Sequence, residues 1–219
     1  VTDSSIGNTV SKRGKHGQMT INGIIIGAFN TTNIHAIAIT GSGGGTAGVG
    51  IATVTVVEKA KAQAIINSGA QINRGSREGG QSSVYVIASN DTVESVSGGA
   101  ASGGGTAGVS GAVVVYTGIK ETTARIGDGV QIFAENAIVV LAHSDNQIYA
   151  NVVGAAAGGT AGVGATVSVI VLQDTTIASV GGNLTAGSIT IQAESNQYLQ
   201  LSATSIQGSG TASAGAAVG

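Results

Sequence analysis

The chain contains no proline, no cysteine and no tryptophan. Without cysteine it has neither disulfide bonds nor cysteine-ligated zinc. Proline cannot donate a backbone hydrogen bond, so its absence is compatible with a chain in which nearly every N–H group pairs with another strand. Only 9% of the 219 residues are charged and the formal net charge is −2, so no basic field is present to attract nucleic acid.

Aromatic residues and long apolar runs are also scarce. Aromatic residues make up 3% of the chain, too few and too scattered for a platform that stacks bases. The chain contains no run of about 18 apolar residues, the length that would predict a membrane-spanning helix. Its first residues lack the pattern of a signal peptide. Because the chain begins and ends within its repeat pattern, we expect residues 1–219 to be a single repeat segment of a longer protein.

Glycine is abundant, with 37 residues, and much of it lies in one recurring phrase. The phrase reads GGGTAGVG at Gly43–Gly50, GGGTAGVS at Gly103–Ser110, GGTAGVG at Gly158–Gly164 and GSGTASAG at Gly208–Gly215. A phosphate-binding loop needs one copy, followed by Gly-Lys-Ser/Thr and a helix. Four copies, none followed by Gly-Lys-Ser/Thr and a helix, indicate a repeated structural element rather than a phosphate-binding loop.

Two further phrases recur out of phase with the glycine phrase. One is centred on Ala28, Ala88, Ala142 and Ala193, and the other on Ser4, Ala64, Ala124 and Ala178. With the threonines of the glycine phrase, these anchors follow one another mostly in steps of about 18 residues, with two steps of about 24 and one of about 15. The spacing predicts about twelve coils of about 18 residues, grouped in three-coil modules of about 54.

Apolar and polar residues alternate with period 2 almost everywhere, as in VQIFAENAIVVLA, and no stretch sustains a helical period. The chain is therefore predicted to be all-β, a parallel β-helix solenoid in which each strand pairs with its equivalent one coil away. The predicted step also suits a left-handed hexapeptide helix. The hexapeptide pattern of an aliphatic residue followed by glycine is not sustained, which favours a right-handed helix.

The glycines of the recurring phrase are predicted to be structural turn residues. They occupy corners where the backbone takes a positive φ or closely approaches a neighbouring coil. The small Thr or Ala anchors would sit inside a narrow core. The predicted turn residues are Gly43, Gly44, Gly45, Gly103, Gly104, Gly105, Gly158 and Gly159.

A chain in which Gly-Gly-Thr-Ala-Gly-Val-Gly opens a valine-rich strand resembles the giant secreted filamentous adhesins of Gram-negative bacteria, of the leukotoxin-like and filamentous-haemagglutinin-like group. The resemblance extends over the whole chain. It implies a structural shaft or scaffold segment of an extracellular adhesin or surface fibre, secreted or displayed on the bacterial cell surface. It brings no catalytic residue and no cofactor, and we expect the protein not to be an enzyme.

Some β-helices are carbohydrate-active or bind glycans, which provides an alternative function. On the predicted coils, Arg125, Asp128, His143 and Asp145 fall one coil apart at nearly matching positions. This arrangement would form either a small polar site or an ordinary surface ladder. Asp91 lies three predicted coils from Asp145, about 14 Å away, too far for a general acid/base pair.

No metal site is predicted. His16, His35 and His143 lie in different predicted coils at different positions and share no ligand set.

Two polar insertions are candidates for contact with a host-surface glycan, a host protein or a lipid surface. Their side chains would form a basic patch that attracts acidic groups, although ordinary solvated loops are the favoured interpretation. The basic residues are Lys12, Arg13, Lys15, Arg74 and Arg77.

The strand after each glycine phrase is apolar at successive positions, unlike the alternating strands elsewhere. Strands that are apolar on both faces are usually covered on both. We therefore expect a valine stripe suited to self-association with a neighbouring shaft or to packing against other coils of the same long protein. Ordinary exposed valine, chosen for its β propensity, is the other interpretation. The stripe consists of Val113, Val115, Val167, Val169 and Val171.

Overall fold

The computed structural model describes the backbone of residues 2–14, 17–72 and 82–219, and the side chains of residues 23–72 and 82–219. The described residues form strands joined by short turns. The strands are β1 (Thr2–Gly14), β2 (Gly17–Gly44), β3 (Ala47–Ile66), β4 (Gln71–Ile72), β5 (Ser83–Gly104), β6 (Ala107–Ile126), β7 (Gln131–Phe133), β8 (Ala137–Gly158), β9 (Ala161–Val180), β10 (Asn183–Thr185), β11 (Ser188–Ser209) and β12 (Ala212–Val218).

The strands belong to three sheets that run along the axis of the solenoid. Sheet A has the order β1-β2-β5-β8-β11, sheet B the order β12-β9-β6-β3, and the short sheet C the order β10-β7-β4. From β2 onward, all of this pairing is parallel. Each of the first three coils contributes one long strand to sheet A, one to sheet B and a short strand to sheet C, and the fourth contributes β11 to sheet A and β12 to sheet B. The prediction of an all-β parallel β-helix solenoid is confirmed.

The pairing register gives the length of a coil. Ile24 pairs with Val84, Val84 with Ile138, and Ile138 with Ile189. One coil therefore takes about 51–60 residues, and the predicted coil of about 18 residues, with its count of about twelve coils, was wrong. What the sequence presented as a three-coil module is one coil, whose recurring phrases occupy different parts of its circumference. Neighbouring coils lie about 4.8 Å apart, so the stack from β2 to β11 rises about 15 Å.

The first strand departs from the parallel pattern. β1 pairs with β2 in antiparallel orientation, with Ser4 opposite Ile26. The predicted role of Ser4 as the start of an earlier parallel coil was therefore wrong.

Sheets A and B face each other, and the residues between them form two apolar clusters. Sheet C borders the first, which contains Ala88, Ala124 and Ala142. The second contains Val96, Val114 and further buried residues of both sheets. The alanine anchors Ala28, Ala64, Ala88, Ala124 and Ala142 are therefore core residues, as predicted, whereas Ala178 is half-buried and Ala193 is exposed. Ala88 pairs with Ala142, and Ala124 with Ala178, one full coil away.

The space between the two sheets narrows toward the glycine phrase. A Cβ atom on Gly104 would lie 2.0 Å from the Ala107 carbonyl oxygen and 2.9 Å from the Gly48 nitrogen, and the equivalent Gly44 and Gly158 are equally crowded. A Cβ atom at Gly104 or Gly158 thus meets the backbone of the previous coil, whereas at Gly44 it meets only Ala47 of its own coil. The carbonyl oxygens of the previous coil crowd Gly105 and Gly159 in the same way, at 2.2 and 2.3 Å.

The alternative explanation for the phrase glycines, a positive φ, was wrong. Among the described residues, the positive-φ glycines are Gly23, Gly69, Gly129 and Gly182, all outside the phrase. A Cβ on Gly43, Gly45 or Gly103 would meet no atom within 4 Å. Close approach of a neighbouring backbone therefore does not explain why these three positions are glycine.

The threonines of the glycine phrase were predicted to lie in the core, but they lie on the outside of the corner. Thr46, Thr106 and Thr160 are exposed. Their backbones stack directly, since the Thr106 N–H donates to the Thr46 carbonyl and the Thr160 N–H to the Thr106 carbonyl, both at 2.9 Å.

Candidate functional site

A band of polar side chains crosses the interior between the two apolar clusters. On sheet A it includes Asn90, Thr92 and Glu94, each almost completely buried. On sheet B it includes Glu58 and Lys120. Charged residues are rarely this buried unless they are paired, because their transfer from water is costly. The band is therefore the most distinctive chemical feature of the interior.

Lys120 lies at the centre of a cluster of charged groups. Its Nζ atom is 2.8 Å from Glu58 Oε2 and 3.5 Å from Glu94 Oε1, and its side chain has no exposed surface. Glu94 reaches it from β5 of sheet A, whereas Glu58 and Lys120 stand on neighbouring strands of sheet B. The cluster thus joins two sheets and two coils.

Tyr116 completes the cluster. Its hydroxyl donates a hydrogen bond of 2.9 Å to Glu58 Oε2. The ring lies over Gly118, where a Cβ atom would be 2.5 Å from the Tyr116 hydroxyl oxygen. The absence of a side chain at Gly118 therefore allows Tyr116 to reach Glu58.

The two carboxyl groups have opposite pKa shifts. Burial raises the pKa of Glu94 to about 7, and the neighbouring Glu58 adds to the increase. Burial also acts to raise the pKa of Glu58, but its hydrogen bonds with Glu94, Lys120 and Tyr116 and the charge of Lys120 outweigh this effect, so the pKa is lowered. Near neutral pH, Glu58 is the ionised partner of Lys120, and Glu94 is partly protonated.

Sequence reasoning did not identify this cluster. The available signal was the alternation itself: Tyr116, Gly118, Lys120 and Ala124 lie at even positions of one strand, and apart from Thr123 the buried residues of that strand are at even positions. A lysine at an inward position predicts a buried acidic partner.

The outer face of sheet A carries a second polar group. Tyr149 and Tyr198 lie diagonally across β8 and β11, with ring centroids 5.6 Å apart and an interplanar angle of 50°. A shallow depression of about 390 Å³ is lined by this pair together with the polar residues Asp145, Gln147, Asn196 and Gln197.

His143 stands beside this depression. Its ring nitrogens lie 3.6 Å from the Glu194 carboxyl group on β11 and 4.0 Å from the Asp91 carboxyl group on β5. Asp91 and Asp145 pair directly in the register, so they lie on adjacent strands. Their predicted separation by three coils was wrong, because this direct pairing places them a single coil apart.

The structure does not bring the predicted Arg125–Asp145 group together. Arg125 is exposed at the end of β6 in sheet B, where it pairs with Asp128 at 3.9 Å. His143 and Asp145 belong to β8 in sheet A. The two halves of this group therefore lie on different sheets.

The basic insertions lie outside the described side chains. Lys12 and Arg13 belong to β1, but their side chains are not among those described. Lys15, His16, Arg74 and Arg77 fall outside the described residues. The predicted contact surface at these positions stays a prediction.

The valine stripe points outward from sheet B. Val113 pairs with Val167 and Val115 with Val169, so the stripe crosses neighbouring coils. Val169 is 40% and Val171 is 53% exposed, and the other three valines are half-buried.

Among the described residues, no helix is long and apolar enough to cross a membrane. In the same part of the chain, no group of three or more His, Asp or Glu side chains is arranged to hold a metal ion. Comparisons with known protein families, with curated proteins and with solved structures find no match to this chain. The resemblance to filamentous adhesins therefore stays a hypothesis that rests on the repeated phrases of the sequence.

Proposed function

We propose that the chain is a structural shaft segment of an extracellular bacterial adhesin or surface fibre, acting as a spacer and scaffold rather than as an enzyme. The observation that supports this proposal is the uninterrupted ladder of parallel strand pairs in sheet A. Tyr85 pairs with Val139, and equivalent pairs continue along β2, β5, β8 and β11. Each added coil extends such a ladder without requiring a new fold.

A tandem protein tests the mechanical part of this proposal. Joining two copies of residues 23–219 in coil register should give a longer particle of unchanged cross-section, measured by small-angle X-ray scattering or electron microscopy. Two independent globules would contradict it. For the extracellular location, antibodies raised against the chain should label intact cells of the source bacterium. Labelling only after the cells are lysed would exclude surface display.

Glycan binding is the second candidate function, and the Tyr149–Tyr198 pair is the observation that favours it. A sugar ring has an apolar C–H face that packs on aromatic rings and hydroxyl groups that bond to amides and carboxylates. Asp145, Gln147 and Asn196 offer such groups around the pair. Since Asp91 and Glu194 also flank the site, neutral sugars suit it better than acidic ones.

Isothermal titration with neutral oligosaccharides tests this second candidate. Replacing Tyr149 and Tyr198 with alanine should abolish binding, whereas replacing Tyr85 with alanine is the control on the same outer face. Equal binding by both variants would show that the tyrosine pair is not the site.

A further inference from the structure

The cluster of Glu58, Glu94, Lys120 and Tyr116 is almost completely shielded from solvent. The Lys120 and Glu94 side chains have no exposed surface, and the Glu58 side chain is 7% exposed. Tyr116 is likewise fully buried. An amine and two carboxyl groups held in this way are placed to react with one another rather than with a soluble substrate.

The solenoid does not need this cluster in every coil. The register partners of Lys120 are Ala60 and Asp174, and those of Glu94 are Ile34 and Ile148. Apolar residues therefore fill the Glu94 position in the neighbouring coils. Replacing a buried ion pair by apolar residues often leaves stability unchanged or improves it, so stability alone does not account for the three charged residues.

The two carboxyl groups differ in the way that amide formation requires. Glu58, whose pKa is lowered, is the carboxylate 2.8 Å from the Lys120 nitrogen and can accept a proton from it. Glu94, whose burial favours the neutral acid, is 3.5 Å from the same nitrogen. An amine attacks a neutral carboxylic acid far more readily than a carboxylate, whose negative charge repels it.

From this geometry we propose that Lys120 and Glu94 become joined by a spontaneous isopeptide bond, with Glu58 as the proton acceptor and donor. Glu58 first removes one proton from the Lys120 ammonium group. The free amine then attacks Cδ of the Glu94 acid, so that the Nζ–Cδ bond forms and the Cδ–OH bond breaks. A second proton passes from the nitrogen to the leaving hydroxyl through Glu58, and one water molecule is released.

The reaction needs no oxidant, metal or co-reactant. Its products are a neutral amide, a neutral Glu58 acid and water, so the buried ammonium and carboxylate charges disappear together. Fixed proximity and exclusion of water both favour this step in the interior, whereas free amines and acids in water do not condense. Tyr116, through its hydrogen bond to Glu58, is a positioning residue.

The bond would fasten β5 of sheet A to β6 of sheet B within one coil. The enclosed loop runs from residue 94 to residue 120 and contains the glycine corner at Gly104. The two sheets could then not separate at this coil without breaking a covalent bond. This inference does not depend on the proposed extracellular function.

Intact-mass spectrometry of the folded full chain tests the proposal. We expect the protein to be lighter than its sequence mass by one water molecule. Proteolysis should leave the bond after Lys120 uncleaved and release a branched peptide that contains both Lys120 and Glu94. The full sequence mass in folded protein would overturn the proposal, as would a water loss that peptide mapping places elsewhere.

Three variants assign the roles of the residues. Lys120→Met removes the amine and should have the full sequence mass. Glu58→Gln keeps both reacting groups but removes the base, so it should also have the full mass. Glu94→Gln offers an amide in place of the acid and should lose one ammonia molecule instead of water. Loss of water from Glu94→Gln would show that Glu94 is not the reacting group and would overturn the assignment. If a variant fails to fold, the mass and branched peptide of the unmodified chain still decide the question.

Discussion

Tyr116 and Glu58 stand on adjacent strands of sheet B, and the phenol hydroxyl donates a 2.9 Å hydrogen bond to the carboxylate. In the register, Tyr116 lies opposite Val56, whereas Glu58 lies opposite Gly118. The contact is therefore diagonal and passes over the glycine. It directs a buried carboxylate toward Lys120 and holds it there.

Tyr116→Phe should lower the free energy of unfolding by about 1–3 kcal/mol, because it removes the hydrogen bond between Tyr116 and the buried Glu58 carboxyl group. Urea denaturation should show a lower midpoint with an unchanged slope. Tyr198→Phe is the matched control, since its hydroxyl is exposed and makes only a 3.5 Å bond to Gln200. Equal midpoints for the two variants would mean that the Tyr116 bond contributes nothing.

Two adjacent glycines should respond differently to the same change. Gly104→Ala places a Cβ atom 2.0 Å from the Ala107 carbonyl oxygen, whereas Gly103→Ala meets no atom within 4 Å. We expect Gly104→Ala to destabilise the fold by about 2 kcal/mol or more, and Gly103→Ala to change it by less than about 0.5 kcal/mol. Thermal melts monitored by circular dichroism measure both. Similar melting of the two variants would contradict the close approach at Gly104.

The fold class could be predicted because apolar and polar residues alternate with period 2 along most of the chain. Ala88 and Ala142 were recognised as equivalent anchors, and the register pairs them. The coil length was missed because the phrases within one coil resemble each other: each places a small residue near a corner and continues with an alternating strand. The glycine phrase, which recurs at intervals of about 51–60 residues, carried the true period.

The interior site was only half predictable. Alternation places Lys120 inward, because Tyr116 and Ala124 on the same strand are buried. It cannot identify Glu94 as the partner. That contact depends on where sheet A lies relative to sheet B, and the offset between two facing sheets is not visible as a local sequence pattern.

The pH dependence of stability should show the raised pKa of Glu94. Its usual value is 4.5 and its folded value is about 7, so the folded chain binds more protons between these limits. Stability should therefore be greatest below pH 4.5 as far as Glu94 is concerned, and should fall by on the order of 3 kcal/mol as pH rises through 7. Glu58, with a lowered pKa, contributes stability above pH 4.5 that is lost in stronger acid.

Urea denaturation from pH 4.5 to pH 8 tests this dependence in the Lys120→Met variant, in which Glu94 has no amine to react with. Adding Glu94→Gln, which cannot ionise, to that variant should remove the decline toward pH 8. A decline of the same size in the double variant would assign the titration to another group.

Deleting a whole coil should leave a shorter folded solenoid. Removal of residues 139–189 joins Ile138 to Thr190, which keeps the register because Ile189 pairs with Ile138, and it leaves the Lys120 cluster in place. Removal of residues 139–156 takes out most of β8 and should misregister the following strands. Circular dichroism and cooperative melting distinguish the two variants. A folded product from the shorter deletion alone would contradict the coil length.

The valine stripe on sheet B should promote association with a second copy of the chain. Its side chains point outward on neighbouring strands, and an apolar face of this kind loses contact with water when two copies pack together. Threonine keeps the β-branched shape, so replacing four valines should weaken association without unfolding the sheet. The substitutions are Val113→Thr, Val115→Thr, Val167→Thr and Val169→Thr. The control makes three valine-to-threonine changes on the outer face of sheet A, at Val93, Val139 and Val153. Sedimentation velocity should show less association for the sheet B variant only. If both variants associate as the unmodified chain does, the stripe is ordinary exposed valine.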